Sequence, residues 1–180
     1  MNKKNILVGQ SGGPTAVING SLYGVICEGA RHSDAVGCVY GMINGIEGFL
    51  ADSYMNLSET LSDDNLELLR LTPAAYLGSC RFKLPENLSD SFYRVLFEKL
   101  ERLDIGYFFY IGGNDSMDTV SKLSRRESNP PERNVHTGTS ETSWRRMASV
   151  TRERTCSSVW GKVSRCSRSS RRQYRRRRTS

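Results

Sequence analysis

No stretch of this 180-residue chain approaches the roughly 20 apolar residues of a membrane-spanning helix, so no helical membrane span is expected. The five cysteines, Cys27, Cys38, Cys80, Cys156 and Cys166, include no C-x-x-C pair. That leaves no sequence case for a zinc knuckle or a dithiol redox centre, and reduced packing thiols are the expectation. Only two histidines occur, His32 and His136, and neither has a partner at ligand or triad spacing, so both are expected at the surface. Met1-Asn2-Lys3-Lys4 leads straight into an apolar run too short for a secretory segment, and a cytoplasmic location is expected.

A second set of absences is confined to one end. From Arg125 onward there is no Leu, Ile, Phe or Asp, and fifteen of the sixteen basic residues are Arg, Lys162 being the exception. Residues 1–124 carry 10 Lys/Arg against 15 Asp/Glu, net −5, whereas 125–180 carry 16 against 4, net +12. The +7 of the whole chain therefore belongs to the tail and does not mark the rest as a nucleic-acid binder. So little apolar surface cannot offset the entropy of ordering, and 125–180 is expected to be disordered. Two readings of this tail stand. One is an Arg/Ser-rich arm that contacts RNA or another polyanion, held non-specifically by charge. The other is an out-of-frame translation of a GC-rich message from about position 124–126.

What is present lies in residues 1–124. The apolar run Asn5-Ile6-Leu7-Val8 ends in Gly9-Gln10-Ser11-Gly12-Gly13-Pro14 and opens into a helical pattern through Ile18, Leu22, Val25 and Ile26. A strand that breaks on glycines into a helix leaves backbone N–H groups free, and the helix dipole adds positive potential there. Phosphate oxygens suit such a place, and the missing Cβ atoms of Gly12 and Gly13 allow close approach. The pattern recurs at Tyr107-Phe108-Phe109-Tyr110-Ile111, an uncharged aromatic strand that runs into Gly112-Gly113-Asn114-Asp115-Ser116. Ser116 is expected to cap the following helix.

Strands are expected at 5–8, 35–40 and 107–111, with extended pieces at 54–57 and 76–78. Helices are expected at 16–30, 63–71 (capped by Ser62), 89–103 and 116–124, and 43–50 is a short helix or loop interrupted by Gly45 and Gly48. In 89–103 the apolar positions Phe92, Val95, Leu96 and Leu100 keep helical spacing, with Lys99 the exception. This β–α alternation predicts an α/β fold, an open and mostly parallel sheet with helices on both faces. Two glycine turns at its carboxyl ends would share one crevice.

Ser11-Gly12-Gly13-Pro14-Thr15-Ala16-Val17-Ile18-Asn19 and Ile111-Gly112-Gly113-Asn114-Asp115-Ser116 resemble the two glycine loops of pyrophosphate-dependent phosphofructokinases. Tyr40-Gly41-Met42-Ile43-Asn44-Gly45-Ile46-Glu47-Gly48 and Leu77-Gly78-Ser79-Cys80-Arg81-Phe82-Lys83-Leu84 match in order between them. The resemblance covers about 1–124, read as part of a donor-binding lobe. It implies that Ser11, Gly12, Gly13, Arg81 and Ser116 bind diphosphate, with Lys83 a weaker candidate. It also implies that Asp115 and Arg81 are the catalytic residues, Arg81 steadying charge in transfer, and that Asn114 helps to hold Mg²⁺. Nucleotide-using relatives carry Asp then Gly where Asn114 and Asp115 stand. The Asp115 carboxylate fills and repels where an α-phosphate would lie, which favours pyrophosphate as donor.

The implied reaction moves a phosphoryl group from pyrophosphate to fructose 6-phosphate, giving fructose 1,6-bisphosphate and phosphate, in a homo-oligomer when intact. The family's base-bearing run Pro-Lys-Thr-Ile-Asp-Asn-Asp is not in the sequence, so the chain is expected to be truncated and inactive. The alternatives are a non-catalytic polyanion binder acting through the tail, or an ATP-dependent 6-phosphofructokinase.

Overall fold

The structure, a computed structural model of the chain, describes residues 3–88 and 90–128. Beyond 128, the expectations for the tail lie outside the described residues.

Among the described residues, four strands form one sheet: β1 (Lys4–Gln10), β2 (Val36–Met42), β3 (Tyr54–Asn56) and β4 (Ile105–Ile111). Their order is β3-β2-β1-β4. β1 runs parallel to both β2 and β4, with Val8 opposite Gly41 on one side and Phe109 on the other. Short β3 closes one edge antiparallel to β2. The helices are α1 (Ile18–Arg31), α2 (Gly45–Leu50), α3 (Leu57–Thr60), α4 (Asp63–Leu71), α5 (Ser91–Arg102) and α6 (Asn114–Ser128).

Successive side chains of β1 point to opposite faces, and this splits the core in two. Leu7 and Met42 pack with Ile46 and Phe49 of α2, with Tyr93, Leu96 and Leu100 of α5, and with Leu123 of α6. Ile6 and Val8 pack on the other face with Leu22, Val25 and Ile26 of α1, with Leu57 and Leu69, and with Leu77 from the loop after α4. The expected mostly parallel α/β sheet with helices on both faces is what the chain forms.

Several boundaries differ from expectation, each for a local reason. α1 starts at Ile18 rather than 16, because the Val17 N–H turns to Thr15 Oγ1 at 3.4 Å and holds a turn there. Pro14 therefore lies in the loop. Residues 57–60 coil into α3, started by the Asn56 side chain accepting from the Ser58 N–H at 3.1 Å. Residues 76–78 form no strand, since the Tyr76 and Leu77 N–H groups bond to side chains and the Gly78 N–H turns back to the Ala75 carbonyl.

α5 begins at Ser91, capped by Asp90, which accepts from the Phe92 N–H at 2.8 Å. Its buried stripe is Tyr93, Leu96 and Leu100, while Val95 is exposed and Lys99 pairs with Asp52 at 2.7 Å. α6 starts at Asn114, so Ser116 sits inside the first turn and is not its cap. α6 also runs past 124 through Arg125 and Arg126, whose charge suits a helix carboxyl end. Once a helix is started, adding a residue is easy, and residues 125–128 are helical.

Candidate functional site

The chain leaves β1 for β2 on one side and reaches β4 on the other, so the loops after β1 and β4 open from adjacent carboxyl ends. This is the switch point at which open α/β sheets hold ligands. The Ser11 N–H donates to the Ile111 carbonyl at 2.8 Å, and the Ser116 hydroxyl donates to Ser11 Oγ at 3.0 Å. Ser11, Gly12, Gly13 and Ser116, assigned together from sequence, are thus brought together. One detail changes. With its N–H used in the sheet, Ser11 offers its hydroxyl, and the backbone donors of the cradle are Gly12 and Gly13.

Gly12 needs its glycine for conformation, with φ at +80°. At Gly13 and Gly113 the φ is ordinary, and a Cβ there would meet no protein atom within 4 Å. The protein's own packing does not require glycine at those two positions. What their missing side chains leave is open space, beside the first turn of α6. A small anion fits that space.

A third wall comes from the loop after α4, and two buried amides hold it. Gln10 Nε2 donates to Asn19 Oδ1 at 3.0 Å, and Gln10 Oε1 accepts from the Leu77 N–H at 2.9 Å. Asn19 Oδ1 also accepts from the Tyr76 N–H at 2.9 Å, while its Nδ2 donates to the Thr72 carbonyl at 3.0 Å. The Ser79 hydroxyl then donates to the Gly12 carbonyl at 2.6 Å, tying the loop to the glycine turn itself. At the far end, buried Lys122 donates to the Leu84 carbonyl at 3.2 Å and pairs with Glu86 and Asp118. Those two acidic partners raise the ammonium pKa, so Lys122 is a fixed cation that anchors the loop to α6.

Arg81 projects from the segment between these anchors. It is exposed, and neither it nor Lys83 makes an ion pair among the described residues. Their charge stays available to an anion. Asn114 and Asp115 are exposed on the first turn of α6. Among the described residues no group of three His, Cys, Asp or Glu could hold a metal ion alone.

Beneath the loops lies Tyr110. Burial pushes its hydroxyl up to about 12, helped by Cys80 and opposed by the nearby Ser11 and Ile46. The folded state therefore holds this proton more tightly than the unfolded chain, whose tyrosine has the ordinary value of 10.0. Stability from this group is fully present below pH 10 and is lost as pH rises from 10 towards 12. Urea denaturation across that window should show a steeper decline for the native chain than for Tyr110→Phe.

Sequence reading missed Gln10, Asn19, Ser79, Tyr110 and Lys122. Asn19 carried a signal: it is an amide in the apolar stripe of α1, and buried amides are held by specific partners. Tyr110 carried none, since an aromatic in an aromatic strand reads as packing.

A family model described as phosphofructokinase matches residues 5–149. The chain is 45% identical over 126 residues to the pyrophosphate–fructose 6-phosphate 1-phosphotransferase of Halomonas elongata, covering 69% of this chain and 30% of that one. It is 42% identical over 128 residues to the protein of the same name from Methylococcus capsulatus. The crystal structure of pyrophosphate-dependent phosphofructokinase from Nitrosospira multiformis superposes with a TM-score of 0.65 at 40% identity, covering 72% of this chain and 31% of that one. The chain thus spans about 30% of the length of the curated relatives it matches. Among the described residues no helix is long and apolar enough to cross a membrane. With two glycine turns meeting at the switch point of such a sheet, the chain belongs to the phosphofructokinase family.

Proposed function

We propose that residues 3–128 form the diphosphate-binding part of a pyrophosphate–fructose 6-phosphate 1-phosphotransferase acting in the cytoplasm. The observation that carries this reading is the 3.0 Å contact between Ser116 and Ser11, which joins the two glycine turns around one open space. Gly12 and Gly13 donate backbone N–H groups to the diphosphate, the Ser11 hydroxyl adds a third donor, and Arg81 contributes a forked guanidinium from the opposite wall. Ser116 acts on the diphosphate through Ser11, because its own hydroxyl is spent on that contact.

Oxygen ligands on an exposed helix start fit Mg²⁺, which binds through few protein groups and keeps phosphate and water oxygens. Asn114 Oδ1, with the neighbouring Asp115 carboxylate, would hold it, and when bound it would neutralise phosphate charge. Asp115 also sets the donor. Its carboxylate stands where a nucleoside triphosphate would place its α-phosphate, and pyrophosphate has no group there.

Fructose 6-phosphate is the acceptor in this reading. The sequence has no match to the base-bearing run that would take the proton from its 1-hydroxyl. The 180-residue chain is expected to bind donor without turnover. Calorimetry with pyrophosphate and Mg²⁺ should show binding, ATP should show none, and Asp115→Gly should gain ATP binding. A coupled assay for fructose 1,6-bisphosphate should stay at background. Failure to bind pyrophosphate would sink the donor reading, and pyrophosphate-dependent turnover would sink the claim of inactivity.

A further inference from the structure

Gly12 and Gly13 offer N–H groups to an anion, yet glycine does little to aim them. Gly12 stands at φ +80°, and neither residue has a side chain to wedge the peptide that joins them. Packing adds little. A Cβ on Gly13 would meet no protein atom within 4 Å, and one on Gly12 would meet only the Gly113 nitrogen, at 3.8 Å. A peptide between two such residues turns at small cost unless a bond holds it. The bond that reaches it comes from the third wall of the crevice: the Ser79 hydroxyl donates to the Gly12 carbonyl at 2.6 Å.

Ser79 is well fixed for that task. On one side of it, the Leu77 N–H donates to Gln10 Oε1 at 2.9 Å, and the Leu77 carbonyl accepts from the Asn44 N–H at 2.8 Å. Gly78 stands at φ +72° against the Asn44 side chain, with no room for a Cβ. On the other side, Cys80 is buried. The hydroxyl is thus presented from a segment fastened to the end of β1 and to the loop after β2.

We infer that Ser79 is a positioning residue for the diphosphate: its hydroxyl holds the Gly12–Gly13 peptide with the N–H turned into the open space between the glycine turns. The inference rests on the reading of that space as the donor site. In a trans peptide the carbonyl and the following N–H point opposite ways, and no cis peptide occurs among the described residues. Fixing the Gly12 carbonyl on Ser79 therefore directs the Gly13 N–H away from Ser79. Among the described residues that N–H meets no protein acceptor. The bond to the carbonyl also strengthens the N–H as a donor, because hydrogen bonds in series polarise one another. Without the Ser79 hydroxyl the peptide is free to turn its carbonyl toward the ligand, where the negative end of the dipole would repel a phosphate. Arg81 lies two residues further along, so the same bond sets the spacing between the glycine turn and the guanidinium.

The test uses the 180-residue chain, with pyrophosphate and Mg²⁺ titrated by calorimetry, heteronuclear amide spectra as a local readout and thermal melting as the stability control. Ser79→Ala should weaken pyrophosphate binding about three- to tenfold, the range for one lost hydrogen bond. Ser79→Thr keeps the hydroxyl and should restore native affinity. Pyrophosphate should move the Gly13 amide proton downfield in the native chain and in Ser79→Thr. At saturation the movement should be smaller in Ser79→Ala. Weaker binding with an undiminished Gly13 shift would mean that Ser79 only supports the loop, and that result overturns the inference. So does unchanged affinity in Ser79→Ala, or a Ser79→Thr that binds as weakly as Ser79→Ala. If Ser79→Ala does not fold, Ser79→Cys takes its place, since a thiol fills similar space and is a weak donor. The same outcomes then decide. Native binding with a flat Ser79 series sinks this inference alone. No pyrophosphate binding by the native chain sinks the donor reading, and the inference with it.

Discussion

Gly112→Ala should abolish pyrophosphate binding over the usual titration range, with affinity falling about a hundredfold or more. A Cβ at this position would stand 2.6 Å from the Ser11 carbonyl oxygen and would overlap Ser116 Oγ. Both atoms belong to the junction between the two glycine turns, and neither can yield independently. The Ser11 backbone is fixed by its N–H bond to Ile111, and Ser116 is fixed inside α6. The turns must therefore part, which misplaces the Ser11 hydroxyl and the Gly12 and Gly13 donors together. Losing roughly two hydrogen bonds to a charged ligand, at ~1.5 kcal/mol each, corresponds to that hundredfold. Overpacking should also lower stability by about 1–3 kcal/mol. Gly113→Ala supplies the contrast. Its Cβ meets no protein atom within 4 Å, so the melting temperature should not change. Pyrophosphate affinity should fall all the same, because the methyl group enters the space that the ligand takes. Undiminished affinity in both variants would place the ligand elsewhere.

That contrast also separates what the sequence made legible from what it hid. The apolar runs, the glycines that end them and the helical spacing after them marked a parallel sheet with two phosphate-type turns. These signals are local, and local rules read them. Whether the turns met was not local: it depends on strand order, and placing β1 between β2 and β4 is a tertiary fact. Errors at element ends have the same origin. Ser116 has the residue type of a cap, but a nearer partner, Ser11, claims its hydroxyl, and α6 starts at Asn114 without it. Val95 kept the helical spacing of an apolar stripe, yet α5 turns Tyr93 inward, where the Tyr93 hydroxyl donates to the Pro85 carbonyl at 2.6 Å. Residues 76–78 have strand-like composition, but the Tyr76 and Leu77 N–H groups are claimed by Asn19 and Gln10, residues far off in sequence. In each case a side-chain bond across the fold outweighed a preference along the chain.

The largest effect on stability should come from Asn19→Ala, at about 3–4 kcal/mol, read as a fall in the urea midpoint. Asn19 is 1% exposed, and its one amide serves three partners. Its removal leaves Gln10 Nε2, the Tyr76 N–H and the Thr72 carbonyl without a bond. Each buried polar group so orphaned costs roughly 1–3 kcal/mol, and water entering the smaller side chain's space recovers part of that. The affected groups lie on three elements: β1, α1 and the loop that carries Arg81. The loss should therefore reach the site as well as the core. Asn19→Asp distinguishes the causes. Its carboxylate can still accept from Gln10 and Tyr76, but it cannot donate to Thr72 and brings an unpaired charge into a dry position. It should destabilise at neutral pH and recover in part on acidification, as the protonated acid regains a donor for the Thr72 carbonyl. Asn19→Ala has no such group and should show no recovery. Parallel pH profiles for the two variants would show that Asn19 fills space rather than joining the loop to the sheet.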